Sequence, residues 1–296
     1  MSDIFGDKIK LIEKATQQLD DRLISLSGQI SKVLIEQFID QLETDKGVIK
    51  NNSYNLRLVT LIDNLYQELM LKQGGKVAGE IVNNVDKILK ANVDYYSEYA
   101  GKGYEKSTKK VKQIIDDRLG VGNKVQLKRG GYLDSLLSDT KVQNDIKKLS
   151  YQEIIKGAGF KNFKRSMELF IKGDEDRLGA FRQHYRQYAY DIYVQVDRDQ
   201  SLLLAKELAL QYFIYEGTLI ATSRKFCRER AGKVFSVEEA RVWEADPWIQ
   251  ANLEKGYIAS YNATTDMGLF GCRHLPRFIS EEVAFTMRPD LRNKQH

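Results

Sequence analysis

The sequence predicts a mainly α protein, with a long-helix N-terminal region followed by a small α+β C-terminal domain. Three observations point there. The prolines, Pro247, Pro276 and Pro289, all fall in the last fifty residues of a 296-residue chain. Proline inside a helix costs ~3 kcal/mol, so the long stretch before them permits long helices. Up to residue 216, apolar residues recur at three-, four- and seven-residue steps, the spacing of helix faces. After Gly217 the texture changes to short runs rich in β-branched and aromatic residues, set between turn formers.

The first helix is expected over residues 4–43. Ile12, Leu19, Leu26 and Val33 repeat every seven residues, and Ile9, Leu23 and Ile30 supply the partner seam, interrupted by Thr16. The polar run 43–53, with Gly47 and Asn51-Asn52-Ser53, reads as a turn ending in an N-cap. A second helix is expected over 54–72, broken by Gly74-Gly75, and a third over 77–99. Connections this short imply antiparallel neighbours. Residues 101–131 form a basic, glycine-containing stretch around a short helix at 105–119. Its cations include Lys102, Lys106, Lys109, Lys110, Lys112, Lys124, Lys128 and Arg129. They read either as a solvated face and loop or as a patch for DNA or an acidic partner surface, with few aromatics nearby to stack bases.

Helices are expected again over 132–156 and 160–170, and Gly173-Asp174 marks a stop. A second very long helix, 175–215, follows, with Leu178, Phe181, Tyr185, Tyr188, Ile192 and Val196 on one buried face. Beyond it, 218–222 reads as a strand and 232–235 as its return partner in a hairpin. Ser236-Val237-Glu238-Glu239 fits the S-x-x-E capping box and starts a short helix carrying Trp243. Asp246-Pro247-Trp248 reads as a turn, 262–268 as a loop, and the residues after 282 as an extended tail. Trp243 and Trp248 are expected in the core of the small domain. The chain therefore divides as 1–173, 174–216, 217–282 and 283–296.

Composition narrows the function classes. With 42% hydrophobic residues the chain can bury a sizeable core. A net charge of +5 with 29% charged residues is mildly basic and well mixed, too weak by itself to declare a nucleic-acid binder. Two cysteines do not make a disulfide framework. The run 208–215 is far short of the ~20 apolar residues of a membrane span, so none is expected. The start lacks the basic-then-apolar pattern of a signal peptide, and a soluble protein made in a reducing cytoplasm is expected. No phosphate-binding glycine loop, dinucleotide fingerprint, H-E-x-x-H or G-x-S-x-G pattern occurs.

The chemistry-bearing residues concentrate near the C-terminus. Cys227, Cys272 and His274 combine both cysteines with one of three histidines. Three readings stay open for them: a zinc site still wanting a fourth ligand, a thiol–thiol contact or reversible disulfide, or plain buried fillers. A cysteine nucleophile would need a base and an oxyanion hole, and nothing in the sequence marks the latter. Arg224, Arg228 and Arg230 around Cys227 would share one face of a strand, as an anion grip or, more simply, a surface ion-pair ladder. Asp191 and Arg198, seven apart on the long helix, suit a polar stripe at a helix–helix contact.

The order of these motifs resembles a known family. Gly217, then Ser223, Arg224, Phe226 and Cys227, then Gly232, Trp243 and the closing Gly271-Cys272-Arg273-His274 are similar to the conserved domain of tailed-phage minor head proteins, the head-morphogenesis family typified by the phage Mu F protein. The resemblance covers about residues 175–280 and extends to His184, Asp191 and Arg198 on the preceding helix. It implies a non-enzymatic virion protein without a cofactor, present in several copies, assembling with portal and capsid proteins and lying near or travelling with packaged DNA. Its expected places are the host cytoplasm during assembly and then the virion. The rival readings are a metal- or thiol-dependent hydrolase built on the Cys/His cluster and a DNA-binding packaging factor built on the basic stretch.

Overall fold

The computed structural model describes residues 4–101, 104–122 and 126–294. It is mainly helical, with a small sheet near the C-terminus, as the sequence predicts. The helix α1 (Ile4–Gln37) buries Phe5, Ile12, Ala15, Leu19, Leu23, Leu26, Ile30 and Leu34 along one stripe. The expected heptad continues only as far as Leu26. Leu34 then takes the buried place assigned to Val33, because a straight helix of 3.6 residues per turn drifts against a seven-residue repeat. The helix stops short of residue 43, at a 3-10 turn over Ile39–Gln41.

The polar run after it is more ordered than a turn. It forms a hairpin of β1 (Thr44–Asp45) and β2 (Val48–Ile49), clasped by the fully buried Asn55. Asn55 donates to Glu43 O at 2.9 Å and Lys50 O at 2.7 Å and accepts from Glu43 N at 2.9 Å. Asn52, one of the Asn51-Asn52-Ser53 cluster expected to supply a cap, caps α2 (Ser53–Leu58), and the helix expected over 54–72 is interrupted by a turn at residues 59–60.

The helix α3 (Leu61–Tyr96) runs unbroken through Gly74-Gly75, where a break is expected from the sequence. Each glycine costs about 1 kcal/mol relative to alanine. Burying Ile62, Tyr66, Met70, Val77 and Ile81 on either side outweighs that. Then come α4 (Tyr104–Leu119), α5 (Tyr132–Leu137), α6 (Lys141–Lys156), α7 (Phe160–Lys172) and α8 (Ala180–Glu207). Tyr188, expected on the buried face of α8, is 41% exposed.

The expected helix over 175–215 ends early. Leu210 N bonds Ala205 O at 2.9 Å and Ala209 N bonds Lys206 O at 3.2 Å, the two bonds of a Schellman stop. Ala209 takes the left-handed conformation (φ 53°) that glycine usually supplies, so no glycine announces the stop in the sequence. The released apolar run becomes β3 (Tyr212–Glu216), the central strand of a three-stranded antiparallel sheet. Its partners are β4 (Val234–Ser236) and β5 (Leu275–Ile279). Residues 218–222, expected as a strand, are loop and turn. Pro276 lies in β5, an edge strand, where its missing N–H is tolerated.

Around this sheet sit α9 (Lys225–Arg230), α10 (Val237–Ala240), α11 (Pro247–Glu254) and α12 (Glu281–Met287). The Ser236–Glu239 capping box forms as predicted. Asp246-Pro247 is the N-cap and first residue of α11 rather than a turn. The expected tail is not extended. It is α12 followed by a 3-10 helix whose Leu291 packs with Ala284, Tyr212, Ile214, Val234 and Ile279. Trp243 is buried at the other sheet face, its ring 4.9–5.9 Å from those of Phe213, Tyr215, Phe226 and Phe235. Trp248, expected in the core, is 39% exposed.

Contacts divide the chain into two compact units. One comprises Met1–Ala15, Asn83–Asp117 and Tyr190–His296, the other Thr16–Val82 and Arg118–Ala189. The units are discontinuous, unlike the consecutive segments 1–173, 174–216, 217–282 and 283–296. The helices α1, α3, α4 and α8 each contribute to both, so no turn in the sequence marks the division. Among the described residues, no helix is long and apolar enough to cross a membrane.

The first unit holds a buried polar network. Lys8 Nζ lies 3.0 Å from Asp197 Oδ1 and donates to Asn92 Oδ1 at 2.9 Å. Asn92 donates to Asp197 Oδ1 at 2.9 Å and Gln200 Oε1 at 3.0 Å, and accepts from Ser201 Oγ at 3.3 Å. Burial pushes the Lys8 ammonium below the usual lysine range, while Asp197 pulls it back.

Candidate functional site, a buried cysteine–histidine corner

Three segments of the first unit deliver one cluster. The strand β3 brings Tyr215. Cys227 lies on α9, not on a strand, because Arg224 in extended conformation starts a short helix there. Cys272 and His274 precede β5, and their i, i+2 spacing puts both side chains on one face. Cys227 Sγ lies 3.9 Å from Cys272 Sγ, and Cys272 Sγ lies 3.6 Å from His274 Nδ1. Both cysteines are free thiols. Tyr215 donates its hydroxyl to Cys227 Sγ at 3.4 Å and sits 3.6 Å from Cys272 Sγ. None of Cys227, Cys272 and His274 exceeds 3% exposure.

The backbone is arranged around these atoms. Met267 and Leu269 have positive φ (44° and 65°), and Gly271 follows at 66°. Two non-glycine residues held left-handed within three positions need a surrounding structure that fixes them. Here Met267 is fully buried and its carbonyl accepts from Tyr261 Oη at 2.8 Å. A Cβ on Gly268 would fall 2.6 Å from Cys227 Sγ and 3.1 Å from Cys272 Sγ, so only glycine fits against the sulfurs. Gly217 is likewise required: it has φ 146°, and a Cβ would meet His274 Cδ2 at 2.9 Å.

Two residues of α8 clamp the corner. Arg198, 3% exposed, donates to His274 O at 2.8 Å and Cys272 O at 2.9 Å, and to Thr265 O at 3.3 Å. Asp191 accepts from Gly271 N at 3.1 Å. They are not a stripe between helices but the supports of the 265–274 loop. His184 does not join them. It belongs to the second unit, where Nε2 lies 3.3 Å from Asp139 Oδ2 and the ring packs on Tyr185.

Electrostatics separates the two thiols. Cys272 is held well below the usual thiol range by the Cys227 thiol donating to it, then by the Arg198 guanidinium and His274, against burial. Cys227 is pushed up in consequence, by that same hydrogen bond and by burial. Burial and the two sulfurs also raise Tyr215. The sulfur favoured as thiolate is thus the one flanked by the arginine and the imidazole.

The remaining predicted residues fall elsewhere. Arg224, Arg228 and Arg230 form no anion grip, since carbonyls and rings engage them. Arg224 donates to Gly268 O at 3.0 Å and covers the Trp248 ring at 4.9 Å. Arg228 donates to Ala221 O at 2.7 Å. Arg230 pairs with Asp246 at 3.1 Å and lies over Phe226 at 3.8 Å. Ser223 caps a turn by accepting from Ile220 N at 2.8 Å, Gly232 donates to Tyr215 O at 2.9 Å, and Arg273 is exposed.

In the basic stretch, Lys110 pairs with Glu207 at 2.9 Å and Lys112 with Asp86 and Asp116. Lys106, Lys109, Lys128 and Arg129 are exposed, with the last two in the second unit. Lys102 and Lys124 lie outside the described residues. The second unit also contains a cavity of about 420 Å³ lined by Tyr66, Met70, Leu71, Leu137, Asp139 and Gln143. No spacing pattern signals it, because its walls come from three helices and the turn before α6. Among known proteins, no family model, no curated protein and no solved structure matches this chain.

Proposed function

We propose that this protein is a non-enzymatic assembly component of a tailed-phage head, docking on portal or capsid proteins through its C-terminal module. The observation that carries the reading is the convergence of the motif residues. Asp191, Arg198, Gly217, Cys227, Cys272 and His274 meet at one corner, each in contact with another or with the loop between them. A motif whose members all serve one buried joint is a fold-holding motif. A hydrolase would need its thiolate open to substrate, and Cys272 is 3% exposed. The same module exposes large apolar groups: Val242 at 72%, Tyr257 at 63%, Phe270 at 46% and Trp248 at 39%. Trp248 and Phe270 both adjoin Arg224, a mix of aromatic and arginine side chains typical of protein interfaces. Packaged DNA is a secondary neighbour in this reading, facing Lys106 and Lys109.

The test is made on particles. Cryo-EM and quantitative mass spectrometry of heads assembled by the phage that encodes the chain should find it in several copies at the portal vertex. Its absence from both procapsids and mature heads would dismiss the assignment.

A further inference from the structure

We propose that Cys227, Cys272 and His274 bind a single zinc ion, with the Tyr215 oxygen as fourth donor. The inference concerns this chain's own donor set and stands apart from the assembly reading. The separations from Cys272 Sγ to the other three donor atoms are close to the edges of a tetrahedral site. Two thiolates on zinc, each at about 2.3 Å from the metal, are about 3.8 Å apart, and a thiolate and an imidazole nitrogen about 3.5 Å. The corresponding separations here are 3.9 Å for the two sulfurs and 3.6 Å for Cys272 Sγ to His274 Nδ1. The donor atoms of the three residues all fall within 4.8 Å of one another. Tyr215 Oη lies 3.4 Å and 3.6 Å from the two sulfurs.

A second observation points the same way. His274 is 2% exposed and turns Nδ1, not Nε2, toward the sulfurs. Its Nδ1 meets only a sulfur, a weak partner for a buried imidazole. A histidine placed merely to fill the core normally satisfies its ring nitrogens. One turned through Nδ1 onto a cysteine sulfur, with a second thiol beside that sulfur, is arranged as a ligand.

The surroundings fit an enclosed structural ion rather than a catalytic one. Gly268 closes the remaining side, and Arg198 fixes the carbonyls of both Cys272 and His274. Binding leaves both sulfurs as thiolates, with any remaining thiol proton passing to solvent, and the ion cancels their charge while Tyr215 coordinates as the neutral phenol. The ion ties α9 to the segment before β5, two pieces of chain 45 residues apart.

The full-length chain, unfolded in reductant and chelator and refolded with Zn²⁺ or Co²⁺, tests this. After desalting, one metal ion per chain is expected. The cobalt form should show thiolate-to-metal charge transfer and the intense d–d absorption of a tetrahedral site. Cys272→Ala and Cys227→Ser should each weaken binding by more than about 10-fold, the loss that even an outer partner causes. Where a cysteine variant fails to fold, the unmodified chain still decides: zinc should slow the reaction of both thiols with an aromatic disulfide reagent. Tyr215→Phe should retain the ion with an altered d–d band, and an unchanged band removes Tyr215 from the site. A refolded chain without metal, a cobalt spectrum lacking sulfur charge transfer, or an internal disulfide in protein isolated without oxygen overturns the proposal.

Discussion

Two buried polar clusters lie in the same unit and are built on opposite terms. Around Lys8, every polar group has a strong partner: ammonium with carboxylate and amide, amide with carboxylate and amide, hydroxyl with amide. Around Cys272, the sulfurs meet one another, a phenol and an imidazole at 3.4–3.9 Å, and one ring nitrogen is left over. A complete network rigidifies a core and has no use for a ligand. A set of weak sulfur contacts, bordered by a glycine and clamped by an arginine, leaves donor atoms that a ligand can engage. The contrast separates what holds the helices together from what is poised to bind.

The sharpest way to break this comparison is Asp197→Ala. It leaves the Lys8 ammonium buried beside a lost partner, and a loss of about 3–5 kcal/mol is expected in urea unfolding. Replacing both residues, as Lys8→Met with Asp197→Leu, should recover most of it, because two apolar groups need no partner. A single-variant loss below about 1 kcal/mol would mean that the network is not what holds this core.

The second cluster is probed by Arg198→Met, which keeps the stem and removes the donors to three carbonyls. A loss of about 2–3 kcal/mol is expected. Hydrogen exchange should accelerate in the 262–274 loop, while the Lys8 network stays protected. Equal acceleration in both places would show that the clusters are one cooperative structure.

The smallest effect sharpens the contrast from outside. Arg182 in the second unit donates to the largely buried Asp20 of α1 through Nε at 3.0 Å. That hydrogen bond, with the guanidinium charge, holds the Asp20 carboxyl below the usual range. A depressed carboxylate stabilises the fold at pH values above the unfolded-state pKa, and the contribution fades as pH falls through the lower folded-state value. The effect is therefore complete at neutral pH and begins to fade only below about pH 4. Wild type and Asp20→Asn should differ by up to about 1 kcal/mol at pH 7 and converge in acid. A difference that persists in acid would assign the effect to shape rather than charge.

Legibility varied with the range of the interactions. Helix faces, the Asn52 cap and the Ser236–Glu239 capping box depend on residues within a few positions of each other, and the sequence displays them. The apolar run 208–215 did not declare itself, since a short buried run suits a helix or a strand equally and Ala209 hides the stop. The strand β5 was hidden behind Pro276, which sits there only because the position is an edge. In the site, the meeting of Cys227, Cys272 and His274 was readable from residue type and spacing. Tyr215, Gly268 and the clamp by Arg198 were not, because they come from a strand misread as helix, a loop, and a helix 74 residues from Cys272. Lys8 stands on an apolar stripe, which is a visible anomaly, but its partner is 189 residues away.

By itself the sequence determined that this chain is helical, where several helices begin, and which few residues could carry chemistry, because periodicity and capping are local properties of a polymer. Tertiary structure alone decided that Tyr212–Glu216 is a strand, that the final residues pack as helix, and that the two thiols face an imidazole and a phenol. Those outcomes depend on which distant surface each segment buries, and burial free energy is a property of the assembled molecule rather than of any stretch of its chain.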